Sequence, residues 1–172
     1  DIALLEHSPQ IIDFKQFNAV YNPAIEYPLL DETLNKVFCG DAELVSLFDE
    51  IIGYLMMNHV NYHKCFFLVG KPSGGKSNIL KMIINFIGKQ NVSTLSLKDF
   101  NDKFRLASIV GKTANILADL DQTTVTESGN FKSLVTGDGI TVEEKYGSSF
   151  TYYNNAKLIF SCLMLLSFAA GV

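Results

Sequence analysis

Residues 70–77 carry the pattern with the clearest chemical consequence in this sequence. They read Gly-Lys-Pro-Ser-Gly-Gly-Lys-Ser and match G-x-x-x-x-G-K-[ST] at every fixed position. Backbone N–H groups in such a loop, together with the N-terminus of the following helix, form a site for phosphate anions. The pattern predicts that Lys76 contacts the β- and γ-phosphates of ATP and that the Ser77 hydroxyl ligates Mg²⁺. The predicted nucleotide-binding residues are Gly70, Lys71, Pro72, Ser73, Gly74, Gly75, Lys76, Ser77 and Asn78.

The residues on either side of this loop predict the elements that hold it. Residues 65–69 form a short apolar run typical of a buried strand. The following segment, 77–87, has helical apolar spacing, with Ile79, Met82, Ile83 and Phe86 on one face. Strand, glycine-rich turn and helix are the context in which the motif binds phosphate. The alternative is a glycine-rich turn that binds nothing.

Two acidic residues further along the chain predict the Mg²⁺-binding part of the site. Hydrolysis of a bound nucleotide needs an acid at the end of a neighbouring strand to position Mg²⁺ and water. Residues 113–119 read as a second buried strand that ends on Asp119, and Asp121 follows two residues later. We predict that Asp119 joins Ser77 at the metal, and that Lys76, Asp119 and Asp121 form the catalytic set. For Asp121, water activation and a solvated turn acid both remain open.

The first 60 residues predict a loop and helical segment that precedes the ATPase core. Pro9, Pro23 and Pro28 favour extended or turn structure at Tyr21-Asn22-Pro23 and Tyr27-Pro28. A short helix is expected over 33–38. A longer helix is expected from an Asp41 cap to about Met57. Its expected apolar face comprises Leu44, Leu47, Phe48, Ile51, Ile52 and Leu55.

Residues 61–172 predict the core itself, an α/β fold with a mainly parallel central sheet flanked by helices. Gly88 is the expected end of the loop helix. A short strand is expected within 91–97, a helix over 98–104 that Ser96 would cap, and a helix over 127–136. A small β-hairpin is expected from 140–144 and 150–153, and a last buried strand from 157–162.

Composition limits the classes of partner. The net charge of −4 and pI of about 5.3 argue against a generally basic nucleic-acid binder, although a few lysines in a ring-shaped pore remain compatible. The three cysteines are widely spaced, which favours reduced thiols in a cytoplasmic setting, and His63 with Cys65 is too small a set for a metal site. The apolar tail 158–172 is shorter than the roughly 20 residues of a membrane span, so no membrane partner is expected. The start at Asp1 favours a fragment or a processed chain, and the tail a truncated C-terminus.

Several segments, in this order and spacing, resemble the phage and plasmid primase–helicases, which carry a superfamily-three helicase domain. The similar segments are residues 5–9, 21–24 and 53–55, the glycine-rich loop, residues 111–116 and residues 131–138. The resemblance implies an AAA+-like P-loop ATPase that uses ATP and Mg²⁺. It also implies a ring, usually a hexamer, that moves single-stranded DNA through its centre. In the family, the block matching 131–147 bears a lysine-carrying hairpin that grips DNA, which assigns DNA binding to Lys132, Lys145 and Tyr146. For Lys145 the alternative is a solubilising charge on an edge strand.

Two departures from the family pattern affect hydrolysis. The family's last strand ends K-L-I-F-S-C-N, whereas this chain ends it with Leu163, which cannot hydrogen-bond a phosphate or a water. The family also carries an arginine finger after this strand, and the only arginine here, Arg105, lies in the wrong segment. We therefore predict ATP binding with slow hydrolysis. The alternatives are a catalytically impaired assembly or remnant domain, and a small-molecule kinase, which a single arginine disfavours.

Overall fold

The computed structural model describes residues 8–10, 15–120 and 129–163. Its helices are α1 Pro28–Val37, α2 Ala42–Met56, α3 Lys76–Ile87, α4 Lys103–Leu106 and α5 Gly129–Thr136. Its strands are β1 Cys65–Val69, β2 Val92–Ser93, β3 Ala114–Leu117, β4 Gly139–Glu143, β5 Ser149–Tyr153 and β6 Lys157–Cys162. Three short 3₁₀ turns lie at Lys89–Asn91, Asp99–Asn101 and Ala107–Ile109.

Four strands form a parallel sheet in the order β1-β6-β3-β2. β6 is central, and all six of its residues are buried. Strands β4 and β5 form a separate antiparallel hairpin. The predicted mainly parallel α/β architecture with a small hairpin is therefore confirmed. The acid-bearing strand β3 is not the neighbour of β1, because β6 lies between them; local sequence patterns do not encode this order.

Helices cover both faces of the parallel sheet. Ile159 of β6 packs with α1, α2 and α3, in a cluster that includes Leu34, Phe48, Leu55, Ile79, Leu80 and Ile83. Leu158 and Phe160 belong to the opposite cluster, with Phe100, Leu106, Leu134 and the hairpin residues Ile140 and Val142. Successive strand side chains point to opposite faces, so β6 contributes to both layers. The sheet is thus held from both sides, which fixes the carboxyl ends of its strands.

The N-terminal helices follow the sequence expectations in part. Helix α1 begins at Pro28 rather than Thr33, since proline is well suited to the first helical position and the residue before it, Tyr27, remains outside the helix. The expectation that Pro28 lies in a turn or extended segment was therefore wrong, because Pro28 is the first residue of the helix. In α2 the Asp41 carboxylate accepts hydrogen bonds from the N–H groups of Glu43 and Leu44, as predicted. Leu44 and Leu47 are exposed, so the predicted apolar face is narrower than expected.

The short strand expected within 91–97 is confirmed as Val92–Ser93. The Asn115 side chain takes the place of a ladder partner beyond it. Its amide oxygen accepts from the Leu95 N–H at 2.7 Å, and its NH₂ donates to the Leu95 carbonyl at 2.9 Å.

The helix expected over 98–104 is replaced by a 3₁₀ turn and the four-residue α4, which Asp102 caps. Ser96 instead exchanges hydrogen bonds with Asp99. Helix α5 begins at Gly129 within the described residues, and 127–128 lie outside them. Among the described residues no helix has the length and apolar character needed to cross a membrane.

Candidate functional site

The glycine-rich loop joins β1 to α3 and turns tightly. Ser73 and Gly75 both adopt left-handed backbone conformations, with φ of +61° and +87°. The Gly74 N–H donates to the Lys71 carbonyl at 3.2 Å, and a Cβ on Gly74 would lie 3.1 Å from that same oxygen. Glycine at 74 and 75 is therefore required by the close approach and by the positive φ. The strand–loop–helix context predicted from the sequence is confirmed.

Lys76 is the first residue of α3, and its side chain folds back across the loop. Its ammonium Nζ donates to the carbonyl oxygens of Gly70 at 2.6 Å and Lys71 at 2.8 Å. Ser77 and Asn78 follow in the first helical turn and are exposed. The first N–H groups of a helix have no acceptor within it and carry a partial positive charge. Lys76, Ser77 and these N–H groups thus form a positively polarised cradle open to solvent.

Asp119 lies at the same edge of the sheet as this cradle. Parallel strands end on one side, and β3 ends at Leu117, two residues before Asp119. The Leu120 N–H donates to the Ser161 carbonyl at 2.9 Å, which keeps the segment after β3 alongside β6. Asp119 is exposed and two strand positions from β1, or about 10 Å at the usual spacing. Asp121 lies outside the described residues.

The hydroxyl of Ser77 and the carboxylate of Asp119 suit a hard divalent cation. Mg²⁺ prefers oxygen ligands and keeps several of its waters, so one or two protein oxygens plus phosphate oxygens suffice. Both side chains are exposed at the edge where the loop opens. The donor chemistry of these residues therefore fits Mg²⁺ bound with a nucleotide.

Leu163 follows the strand that lies between the loop-bearing strand β1 and the acid-bearing strand β3. β6 pairs with β1 on one side and with β3 on the other, and Leu163 follows its last residue, Cys162. Leu163 is half-exposed. A hydrocarbon side chain there offers no hydrogen bond to a phosphate or to a water.

The hairpin presents a separate group of residues. The Gly147 N–H donates to the Glu144 carbonyl at 2.9 Å and closes a turn with Lys145 and Tyr146 at its tip. Tyr146 is fully exposed and has a φ of +65°, a conformation that favours glycine or asparagine. Lys132 is also exposed, but it lies on α5 and lines a groove of about 400 Å³ beside Cys65 and Phe67 of β1. The structure thus brings Lys145 and Tyr146 together at one tip, with Lys132 on another element.

The cysteine and histidine near β1 offer little metal chemistry. Burial raises the pKa of the Cys65 thiol to about 12, whereas metals bind the thiolate. Across the part of the chain that the structure describes, no three His, Cys, Asp or Glu side chains group into a site for a metal ion.

Lys157 is a residue whose role the sequence did not reveal. It is 1% exposed at the start of β6, where its ammonium donates to the carbonyls of Met57 and Asn155 and lies 5.1 Å from the centre of the Tyr54 ring. Burial, and secondarily the charge of Lys15, lowers the pKa of Lys157 to about 8. Met57 is the C-cap of α2, so Lys157 joins the end of that helix to the central strand. The sequence signal that could have identified this buried charge is a lysine placed directly before the apolar run of β6.

Comparison with known proteins agrees with this architecture. The fold is similar to that of the NrS-1 C-terminal region, with a TM-score of 0.65, 15% identity, and coverage of 81% of this chain and 34% of that one. A second structure of the same region gives a TM-score of 0.66 at 14% identity, covering 82% and 35% of the two chains. The chain therefore spans about a third of the length of these relatives.

A helicase of JCV, solved with a bound small molecule, is more distant. Its TM-score is 0.49 at 13% identity, over 80% of this chain and 41% of that one. No curated protein matches the sequence. A model of DUF5906, a family of unknown function, matches residues 68–163, which include the whole loop, Asp119 and the hairpin. Because that match spans more than half of the sequence, the chain belongs to the DUF5906 family.

Proposed function

We propose that this chain is the ATP-binding core of a helicase-type P-loop ATPase that acts on DNA in phage or plasmid replication. The observation that carries the proposal is the loop 70–77 between a partly buried parallel strand and a helix, with Asp119 at the same sheet edge. Loop, hydroxyl and acid are the parts that phosphoryl transfer requires for positioning and charge neutralisation.

Each of these residues has a distinct part in nucleotide binding. The N–H groups of the loop and of the first turn of α3 receive the phosphate oxygens. The Lys76 ammonium, now held by two carbonyl oxygens, turns toward the β- and γ-phosphates and exchanges those acceptors for anionic ones. Ser77 and Asp119 hold Mg²⁺, which supplies neutralising charge when bound. Asp121 orients the attacking water in this proposal.

The hairpin tip supports the nucleic-acid half of the proposal. Tyr146 keeps an unfavourable backbone conformation and an aromatic ring in full contact with solvent, and it stands beside the exposed Lys145. Strained residues that structure alone does not require concentrate at functional sites. An aromatic ring with an adjacent cation can stack a base and contact a phosphate of single-stranded DNA. In a ring, which the full protein would form as a hexamer, such tips would face the central pore.

Calorimetric titration with Mg·ATP tests the nucleotide site. We expect the wild-type chain to bind and Lys76→Ala to lose at least about tenfold in affinity, the scale of one charge-assisted contact. Lys81→Ala, an exposed lysine on the same helix, is the matched control and should bind as the wild type does. Thermal unfolding of all three proteins checks that Lys76→Ala remains folded. Equal affinities for Lys76→Ala and wild type would contradict the proposal.

A second candidate function is nucleotide binding without turnover, in an assembly or remnant domain. Leu163 favours it, because an apolar side chain lies between the loop and Asp119 where a polar group would contact the γ-phosphate or water. Arg105, the single arginine, forms an ion pair with Asp99 at 3.0 Å on a segment away from this edge. ATPase assays with and without single-stranded DNA separate the two functions. Turnover stimulated by DNA excludes the second, and binding with no turnover excludes the first for this chain.

A further inference from the structure

Helix α1 ends directly against the glycine-rich loop. A Cβ built on Gly75 would lie 2.7 Å from Cγ2 and 3.2 Å from Cγ1 of Val37, the last residue of α1. Real Cβ atoms do not approach other atoms this closely, so Val37 occupies the space that any side chain at position 75 would need. Gly75 is therefore constrained twice, by its φ of +87° and by Val37.

The position of Val37 is fixed by the packing of α1 on the core. Leu34, one turn earlier in α1, is 2% exposed and packs in the same cluster as Ile79 and Leu80 of α3. Valine is branched at Cβ and has a stiff χ1, so its methyl groups do not move aside easily. The contact thus joins the loop to an element rooted in the core of the same layer.

The loop gains from such support, because its conformation is unfavourable on its own. Ser73 and Gly75 are both left-handed, and Ser73 is not glycine. Sparsely populated backbone conformations persist only where surrounding contacts hold them. A loop that is ordered before the ligand arrives loses less entropy on binding.

We propose that Val37 is a positioning residue that holds the loop 70–75 in its nucleotide-binding conformation, so that α1 forms part of the nucleotide site. Helix α1 lies outside residues 68–163, the part that matches the family. The effect on affinity rests on the proposed ATP binding, whereas the effect on loop order does not.

The first experiment compares Val37→Ala with Val45→Ala. Both valines are partly buried and pack on the same core cluster, but Val45 lies in α2 and makes no close approach to Gly75. We expect Val37→Ala to weaken Mg·ATP binding about 3- to 10-fold and to accelerate amide hydrogen exchange at Gly74, Asn78 and Ile79, whose N–H groups bond to carbonyls of the loop, while Val45→Ala changes neither. Val37→Thr, which keeps the shape of the side chain, should restore both properties.

The second experiment is a double-mutant cycle with Gly75→Ala. That substitution adds the Cβ that meets Val37, so it should weaken binding sharply. Removing the Val37 methyl groups should then partly rescue it: Gly75→Ala/Val37→Ala should bind about 3- to 30-fold more tightly than Gly75→Ala alone. Val37→Ala should thus weaken Mg·ATP binding in the wild-type background and improve it in the Gly75→Ala background. Val45→Ala should give no rescue.

The outcomes separate this inference from the proposed function. If the wild-type chain does not bind Mg·ATP, the proposed function fails, and hydrogen exchange at Gly74, Asn78 and Ile79 alone decides the role of Val37. If Val37→Ala and Val45→Ala have equal effects on exchange, the positioning role is overturned whether or not the nucleotide binds. Binding without rescue in the cycle also overturns it.

Discussion

The contribution of one buried lysine, Lys157, to the stability of this protein should rise between pH 8 and pH 10. Its pKa in the folded state is about 8, below the ordinary value of 10.5, because burial disfavours the ammonium. Between these two values the unfolded chain binds more protons at this residue than the folded chain does. The free energy of unfolding therefore increases with pH across this window. Below pH 8 both states are protonated and the contribution is constant.

The two pKa values give the size of the effect. Integrating the difference in bound protons from pH 8 to pH 10 gives about 2 kcal/mol of added stability from Lys157. Cys65 and Tyr54 act in the opposite direction at higher pH, since burial raises the pKa of both. A variant that removes only the lysine isolates the contribution of Lys157 to the free energy of unfolding, because the other titrating groups remain in both proteins.

Urea unfolding of wild type and Lys157→Met at pH 7, 8, 9 and 10 is the measurement. The stability difference, wild type minus variant, should grow by about 2 kcal/mol from pH 8 to pH 10. Near pH 7 it should be small, because losing the hydrogen bonds to Met57 and Asn155 is offset by no longer burying a charge. Lys81→Met, on the exposed side of α3, controls for the loss of a positive charge. A difference that stays constant with pH would refute the reasoning.

Three further predictions concern the candidate site. Asp119→Asn keeps the shape but removes the charge, so it should weaken Mg²⁺-dependent ATP binding about tenfold while leaving Mg²⁺-free binding unchanged in calorimetry. Leu163→Asn supplies the missing polar group and should raise ATP turnover at least about tenfold over wild type, with Leu163→Ala as the control that adds none. Tyr146→Gly should stabilise the protein by about 1 kcal/mol, because it removes the side-chain clash of a left-handed backbone conformation, yet it should weaken binding of a single-stranded oligonucleotide. Tyr146→Phe should keep the wild-type stability and the wild-type oligonucleotide affinity. Equal oligonucleotide affinities for the glycine and phenylalanine variants would contradict the last.

The parts of the fold that depend on local pattern were predictable from the sequence. The loop 70–77, its flanking strand and helix, the Asp41 cap and the hairpin each carry their signal within about a dozen residues. The point where β2 ends and the replaced helix near 98–104 were not predictable in the same way. Just after β2, at Leu95, a side chain from 20 residues away, Asn115, substitutes for backbone pairing. Near residue 99 the chain forms a 3₁₀ turn that follows the Ser96–Asp99 hydrogen bonds.

Contacts between distant segments were beyond the sequence for a different reason. The ammonium of Lys157 meets a carbonyl 100 residues earlier in the chain, and Val37 meets Gly75 across the junction of α1 with the core. Neither partner can be identified by spacing or periodicity, because both contacts depend on how α1 and α2 pack on the sheet. The ligand assignments of the candidate site therefore stay predictions, and the contacts that support its loop and strands could not be predicted from local pattern.

The strand order assigns binding and turnover to different strands. β1 and β3 lead to the loop and to Asp119, which are the phosphate and metal ligands of the proposed function, and β6 between them leads to Leu163. In the proposed function, substitution at the end of β6 would change the contact with the γ-phosphate or water while leaving the two binding ends in register. The buried Lys157 at the other end of β6 joins the strand to the end of α2. Under the proposed function, a chain with this architecture would therefore bind nucleotide even where hydrolysis is slow, and the Leu163→Asn variant measures how far that one position limits turnover.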